Sequence, residues 1–217
     1  MNTPRQRRKD ARPAELIDAA LDVFVERGFT ATRLEEIAER AGVSKGTLYL
    51  YFDSKEALFK AVVEGGILPA LAEGEAMLAA GRDDPAQLLR DLLNGWWDLV
   101  GSTCLAGIAK LMMAEARNFP ELAEYYRENV IERGHRLMVE VLELGMARGV
   151  FRKQDPMLLC HVAFSPLLMA SIWRQSFGMC GGPDMDYRAY IDMHLETLMD
   201  GLRARPSESD SKQGAEK

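Results

Sequence analysis

Cysteine and histidine are scarce in this chain of 217 residues, and long apolar runs are scarce as well. The three cysteines, Cys104, Cys160 and Cys180, form no CxxC motif, and their odd number argues against a disulfide framework and for a reducing compartment. No uninterrupted run approaches the ~20 apolar residues that span a bilayer. The charged segment MNTPRQRRKDARPAE lacks the apolar core of a signal peptide. We therefore expect a cytoplasmic protein without a membrane partner.

Clusters of metal-ligating or catalytic residues are also missing. His135, His161 and His194 are scattered, and no cysteine–histidine cluster has metal-ligand spacing. Glu132-x-x-His135 is half of a di-iron carboxylate pattern, which requires a second Glu-x-x-His that this sequence does not contain. The string GVSKG at 42–46 matches the G-x-S-x-G nucleophile elbow, but that elbow follows a strand, and a helical pattern precedes it here. No catalytic residue, metal or cofactor is predicted, and a helical-bundle enzyme is kept only as an alternative.

The two signs of charge are unevenly distributed along the chain. The net charge is −6, yet residues 1–12 hold five basic side chains and one acidic side chain, Asp10. A basic segment on an acidic body suggests that a polyanion contacts one end of the protein. A solvated, disordered leader explains the same charge pattern.

Apolar residues recur at helical spacing through nearly the whole chain, and long β-branched runs are absent. The pattern predicts an all-α protein of about nine helices. The first helix runs from about Pro13, a suitable first-turn proline, to Arg27. Gly28 then provides a stop.

Short helices with capping residues follow the first helix. Because such helices are marginal alone, they must be held by packing, and a tight turn at Gly42 joins two of them as a helix-turn-helix at about 33–52. The predicted caps are Thr32 with Glu35 for the second helix, Ser44 for the third, and Asp53 with Glu56 for the fourth.

The run ALDVFVERGFTATRLEEIAERAGVSKGTLYLYFDSKEALFKAVV, within residues 13–63, resembles the DNA-binding domain of the TetR family of bacterial transcription regulators. The later segments are similar to that family's ligand-binding and dimerisation domain in architecture only. The resemblance implies a homodimeric repressor whose third helix enters the major groove of a palindromic operator. It also implies that a small molecule in the larger domain moves the two DNA-binding heads apart.

Four regions are predicted on this basis. They are a basic disordered leader (1–12), the DNA-binding domain (13–60), the ligand-binding and dimerisation domain (61–204), and a disordered tail (205–217). The fourth helix joins the two domains without a linker.

Helical geometry assigns the faces of the third helix, because successive residues turn by about 100°. With Leu48 and Phe52 in the core, Gly46 lets the backbone approach DNA and Thr47 can contact a base edge. Leu50 also faces outward and, being apolar, is expected to touch a thymine methyl or nothing. Ordinary packing is the alternative role of the tyrosines. Geometry and resemblance together predict DNA contacts from Arg33, Ser44, Lys45, Gly46, Thr47, Tyr49, Tyr51 and Lys55.

Large soft side chains are concentrated between residues 86 and 178 and are typical of pockets for apolar or amphipathic molecules. Ordinary core packing is the alternative for each of them. The predicted ligand-binding residues are Trp96, Trp97, Met113, Phe119, Phe164 and Trp173.

The resemblance also implies a homodimer through the last two helical segments, 155–178 and 185–204. Candidate interface residues there are Leu168, Ile172, Tyr190, His194, Leu198 and Leu202.

A thiol-based redox sensor is a further alternative. It would use Cys160, which precedes His161, or Cys180 in its glycine-rich loop. Since a reactive cysteine needs exposure and a lowered pKa, buried and inert thiols are the expectation.

Overall fold

A computed structural model describes residues 4–178 and 185–204, with side chains from Pro13 onward. This part of the chain holds nine helices and no β-strand, apart from an isolated bridge between Phe151 and Arg203. The all-α prediction is confirmed. The helices are α1 (Pro4–Arg27), α2 (Leu34–Arg40), α3 (Lys45–Tyr49), α4 (55–80), α5 (85–101), α6 (Ala106–Glu115), α7 (120–147), α8 (Pro156–Phe177) and α9 (Tyr187–Leu202).

Helix α1 begins nine residues before its predicted start. The prediction of a disordered leader is therefore wrong for residues 4–12, which are helical. Arginine, glutamine, lysine and alanine dominate this stretch and are good helix formers, and Pro4 is as suitable a first-turn residue as Pro13. Pro13 lies inside the helix. The predicted tail, 205–217, lies outside the described residues.

The cap of α2 lies one residue later than predicted. The Arg33 N–H donates to Glu36 Oε2 (3.4 Å), so Glu36 rather than Glu35 reaches back to the cap. The Thr32 hydroxyl instead donates to the Gly28 carbonyl oxygen (2.7 Å). Thr32 is buried, and its side chain therefore holds the end of α1 rather than the start of α2.

Serine side chains cap the next two helices. Ser44 Oγ accepts a hydrogen bond from the Thr47 N–H (3.1 Å), which confirms the predicted cap of α3. Ser54 Oγ accepts from the Ala57 N–H (3.0 Å), so the prediction that Asp53 caps α4 is wrong. Serine and aspartate are comparable N-caps, and sequence alone does not choose between neighbours.

An aromatic cluster joins the head (α1 to α3 and the start of α4) to the body (the remaining helices). The ring centroid of Phe29 lies 5.5 Å from that of Phe24, 5.7 Å from that of Phe59 and 4.6 Å from that of Phe119. Phe119 directly precedes α7, so the head core continues into the body. The predicted domain boundary near residue 60 marks a change in the sequence pattern. The hydrophobic core of the head nevertheless continues past it into the body.

Three helices of the body contain a π-helical turn. These turns are Val63–Ile67 in α4, Trp97–Gly101 in α5 and Arg127–Ile131 in α7. Such turns are rare and often lie at functional sites. Each of the three contributes residues to the wall of one internal cavity.

Helix α8 has the length and apolar composition of a membrane span, the one such helix among the described residues. This finding does not contradict the absence of a long uninterrupted apolar run, because mean hydropathy averages over interruptions such as His161 and Ser165. In the structure α8 packs against α6, α7 and α9. Length and composition alone are weak evidence for a membrane, since core helices pass the same test.

Candidate functional site

Backbone hydrogen bonds hold α2 and α3 in a tight helix-turn-helix. Gly42 has a φ of 65°, a left-handed conformation that glycine adopts without a Cβ penalty. The Val43 N–H donates to the Ala38 carbonyl oxygen (2.9 Å), which closes the turn. Leu48 is fully buried and anchors α3, a helix of five residues that depends on this packing.

The outward face of α3 presents the residues that can enter a DNA groove. Leu50 is 81% exposed and Tyr49 is 44% exposed, which agrees with the predicted orientation. Gly46 is open, because the nearest atom to a Cβ built there is Ser44 Oγ at 3.8 Å. Thr47 is half-buried, and its hydroxyl lies 2.9 Å from Ser44 Oγ in a shared hydrogen bond. The backbone of α3 can therefore approach a duplex closely at Gly46.

Two exposed cations flank this face. Arg33 is exposed at the start of α2. Lys45 forms an ion pair with Glu35, and its ammonium lies 5.7 Å from the centroid of the Tyr49 ring. The hydrogen bond from Lys45 lowers the pKa of the Glu35 carboxyl, so that carboxylate stays ionised. A phosphate that binds Lys45 must therefore compete with Glu35.

The predicted phosphate contact from Lys55 is not supported by its geometry. Its ammonium donates to the carbonyl oxygens of Phe29 (2.6 Å), Thr32 (3.0 Å) and Thr30 (3.4 Å). It also lies 4.6 Å from the Phe29 ring centroid. Since an ammonium has three donors, all three are used in holding the loop after α1. Tyr51 likewise packs partly against the head core, which reduces the surface it can offer to DNA.

A cavity of about 490 Å³ lies in the body between α4, α5, α6, α7 and α8. Its volume is within the range of small-molecule sites, and its wall is mainly aliphatic and aromatic. Trp96, Met113 and Phe164 line it, as predicted.

Three other predicted ligand-binding residues lie elsewhere. Trp97 is buried in the core and stacks on Tyr187, Phe119 packs on Phe29, and Trp173 is 53% exposed on the surface of α8. The prediction that Trp97, Phe119 and Trp173 bind the ligand is therefore wrong. Helical periodicity distinguishes apolar faces but does not say whether a face meets the core, a cavity or the surface.

Polar residues in the cavity wall were missed by sequence analysis. His135 on α7 faces His161 on α8, and Cys160 and Ser165 belong to the same wall. The two histidines are far apart along the chain, and no spacing in the sequence connects them. Helix packing alone brings them together.

Comparison with known proteins identifies the family. Residues 16–62 match the bacterial regulatory proteins of the tetR family, and residues 80–176 match the tetracyclin repressor-like C-terminal domain. The chain is 32% identical over 200 residues to the HTH-type transcriptional repressor KstR2 of Rhodococcus jostii (strain RHA1), which covers 89% of this chain and 92% of that protein. The chain belongs to the TetR family.

Two further TetR-family comparisons agree. The HTH-type transcriptional repressor NicS of Pseudomonas putida is 31% identical over 173 residues, which covers 77% of this chain and 76% of NicS. The structure of the fatty acid degradation regulator FadR from Bacillus halodurans superposes with a TM-score of 0.71 at 25% identity, covering 94% of this chain and all of that one. This TetR-family protein is a DNA-binding transcriptional regulator, not an enzyme.

Among the described residues of this TetR-family protein, six of the fifteen exposed large apolar side chains lie on α8. Tyr190 is exposed as predicted, but Leu198 and Leu202 are buried in the chain's own core, and Leu168 lines the cavity. His194 Nε2 lies 2.8 Å from the carbonyl oxygen of Ala163. The exposed apolar stripe consists instead of Leu158, Val162, Met169, Trp173 and Phe177 on α8, with Met193 on α9.

The described cysteines differ in environment. Cys160 is buried in the cavity wall, and burial raises the pKa of its thiol, which disfavours the reactive thiolate. Cys104 is exposed, whereas the sensor candidate Cys160 is buried as expected. Cys180 lies outside the described residues. The thiol-sensor alternative gains no support from Cys160.

Lys55→Met is expected to affect stability rather than the salt dependence of DNA binding. Its charge-assisted bonds to three carbonyls predict a loss of about 1.5–3 kcal/mol in the free energy of unfolding. The matched variant Arg33→Met should change stability by less than about 0.5 kcal/mol, and should reduce the slope of log K against log salt by about 1. Urea unfolding and DNA titration at several salt concentrations measure both quantities. A reduced slope in Lys55→Met with unchanged stability would restore the original prediction of a phosphate contact.

Proposed function

We propose that this protein is a cytoplasmic homodimeric repressor, that it binds a palindromic operator, and that a small apolar or amphipathic effector releases it. The observation that carries this proposal is the position of α6. This helix lines the effector cavity with Met112 and Met113 and also contacts the DNA-binding head through its last residue, Glu115.

The contact between α6 and the head is a set of hydrogen bonds. Glu115 Oε1 accepts from the Thr30 N–H (3.2 Å), and Glu115 Oε2 accepts from the Thr30 hydroxyl (3.0 Å). Near the start of α6, Gly107 lies so close to α1 that a Cβ on it would be 2.5 Å from the Val25 side chain. A shift of α6 caused by an effector would therefore move α1 and the loop before α2.

Dimerisation is supported by the apolar stripe on α8. On α8 its successive residues are spaced by four or seven, so they share one side of the helix. An exposed apolar surface of this kind marks an interaction site. In a twofold dimer the same stripe would face its own copy, and the two heads would then meet two related half-sites. Repression rather than activation is proposed because KstR2 and NicS, which match over most of their length, are repressors.

Selection of bound DNA from random duplexes by the purified protein tests the proposal. We expect an enriched palindrome, because a twofold dimer reads two inverted half-sites. The double variant Met169→Glu, Trp173→Glu should sediment as a monomer and lose the palindrome, since it buries four charges in each dimer. Val150→Glu, an exposed apolar position outside the stripe, should behave as the wild-type protein. A dimeric double variant would exclude the stripe as the interface, and no enrichment over bulk DNA would reject operator recognition.

A further inference from the structure

The two histidines form a polar site in a cavity wall that is mainly apolar. The ring centroids of His135 and His161 are 4.9 Å apart, and the rings meet edge to face with an interplanar angle of 81°. His135 belongs to α7 and His161 to α8, and these two helices pack directly on each other. The position of the pair is therefore set by the body core.

The ring nitrogens of this pair are available to a ligand. Neither ring forms a hydrogen bond to another described residue, whereas the third histidine, His194, is bound to the Ala163 carbonyl oxygen. Among the described residues that line the cavity, Glu73 is the single carboxylate, and there is no lysine or arginine. Positive charge in this cavity can therefore come from His135 and His161 alone.

We propose that the effector has an apolar body and a single carboxylate, and that the carboxylate binds between His135 and His161. This proposal rests on the proposed role of the cavity as the effector site. Imidazole N–H groups from two helices can each donate to one carboxylate, and these bonds strengthen when a ring is protonated. The aromatic and methionine side chains of the wall, including Trp96, Met113 and Phe164, receive the apolar body.

Other head groups fit this arrangement less well. A cationic group would meet two imidazoles and find a carboxylate only at Glu73 on α4, apart from the histidine pair. A phosphate monoester carries nearly two negative charges at neutral pH, and the cavity offers no permanent cation to balance them. A neutral alcohol could hydrogen-bond to the pair but would not favour its protonation.

Carboxylate binding should take up a proton, which gives the proposal a pH signature. In the free protein, burial and the neighbouring His161 lower the pKa of His135, while Glu132 on the same helix raises it. The other titratable groups of the wall are Glu73 on α4, Tyr126 on α7 and Cys160 on α8. A bound carboxylate favours the charged imidazole, so the histidine pKa is higher in the complex than in the free protein. The affinity for the carboxylate must then rise as the pH falls from the histidine pKa of the complex toward that of the free protein. It must weaken as the pH rises.

Calorimetric titration of the full chain with decanoate, decanol and methyl decanoate at pH 6 and pH 8 tests this inference. Decanoate is ionised at both pH values and should bind about tenfold more tightly at pH 6, which corresponds to one pKa unit of differential interaction. The alcohol and the ester should bind equally at both. In His135→Gln and His161→Gln, decanoate should lose about tenfold in affinity at pH 6 and show a weaker pH dependence, while decanol binding is retained. His194→Gln is the matched control and should behave as the wild-type protein.

The outcomes separate this inference from the function on which it rests. If all three compounds bind with equal affinity at both pH values, the carboxylate site is wrong and the apolar effector cavity stands. If none of them binds, both the carboxylate site and the apolar effector are rejected. Retained decanol binding in the two glutamine variants shows that their cavities are folded, so that a selective loss of decanoate reports the head-group contact.

Discussion

Replacement of Phe29 by alanine is expected to lower the free energy of unfolding by about 3–5 kcal/mol, the range for truncating a buried phenylalanine. The Phe29 ring is fully buried, and three other phenylalanine rings contact it. One of these, Phe119, belongs to the body, so the cavity left by truncation would lie in the junction of head and body. The Lys55 ammonium over the ring would lose its aromatic partner as well.

Equilibrium denaturation in urea measures this effect. The matched control is Leu50→Ala, which removes a large apolar side chain from the surface of α3 and should change stability by less than about 0.5 kcal/mol. Because Phe29 links two regions, loss of the two-state transition in Phe29→Ala would support its role at the junction. A loss below about 1 kcal/mol with an unchanged transition would show that the aromatic cluster does not hold the two regions together.

Replacement of Gly46 by leucine should weaken DNA binding by at least about hundredfold, or roughly 2.7 kcal/mol. Gly46 lies on the outward face of α3, where a leucine side chain would separate the helix backbone from the groove. The substitution meets no obstacle within the protein, because a Cβ at this position has ordinary contact with Ser44 Oγ alone. Leucine is also a better helix former than glycine, so the folded protein should gain up to about 1 kcal/mol.

Gly46→Leu should lower the DNA affinity and raise the folding stability. A loss of binding therefore cannot be attributed to unfolding. Thermal unfolding establishes that the variant is folded, and titration of the selected operator measures its affinity. Gly46→Ala gives an intermediate step, with the same gain in stability and a smaller loss of affinity. Leu50→Ala should instead alter the preference at one base step. An unchanged affinity in Gly46→Leu would remove α3 from the groove and contradict the proposed docking.

The helix-turn-helix could be identified from the sequence because the residues that form its turn and cap lie close together in the chain. The tight turn at Gly42 and the cap at Ser44 act within a few residues of one another, and the structure places both as expected. The number and order of the helices follow equally from periodicity and breaks. Helix ends were less predictable: α1 begins at Pro4 rather than Pro13, because the residues between the two prolines are good helix formers.

The sequence by itself therefore determined the all-α class, the family and the outward face of α3, because short-range spacing encodes all three. Tertiary structure alone decided which apolar residues line the cavity and which form the surface stripe. Trp96 and Trp97 are neighbours in the sequence, yet one faces the cavity and the other the core. His135 and His161 meet only because α7 and α8 pack together. The Lys55 ammonium donates to the carbonyl oxygens of Phe29 and Thr32, which are distant from it in the sequence. No local sequence pattern specifies such a contact.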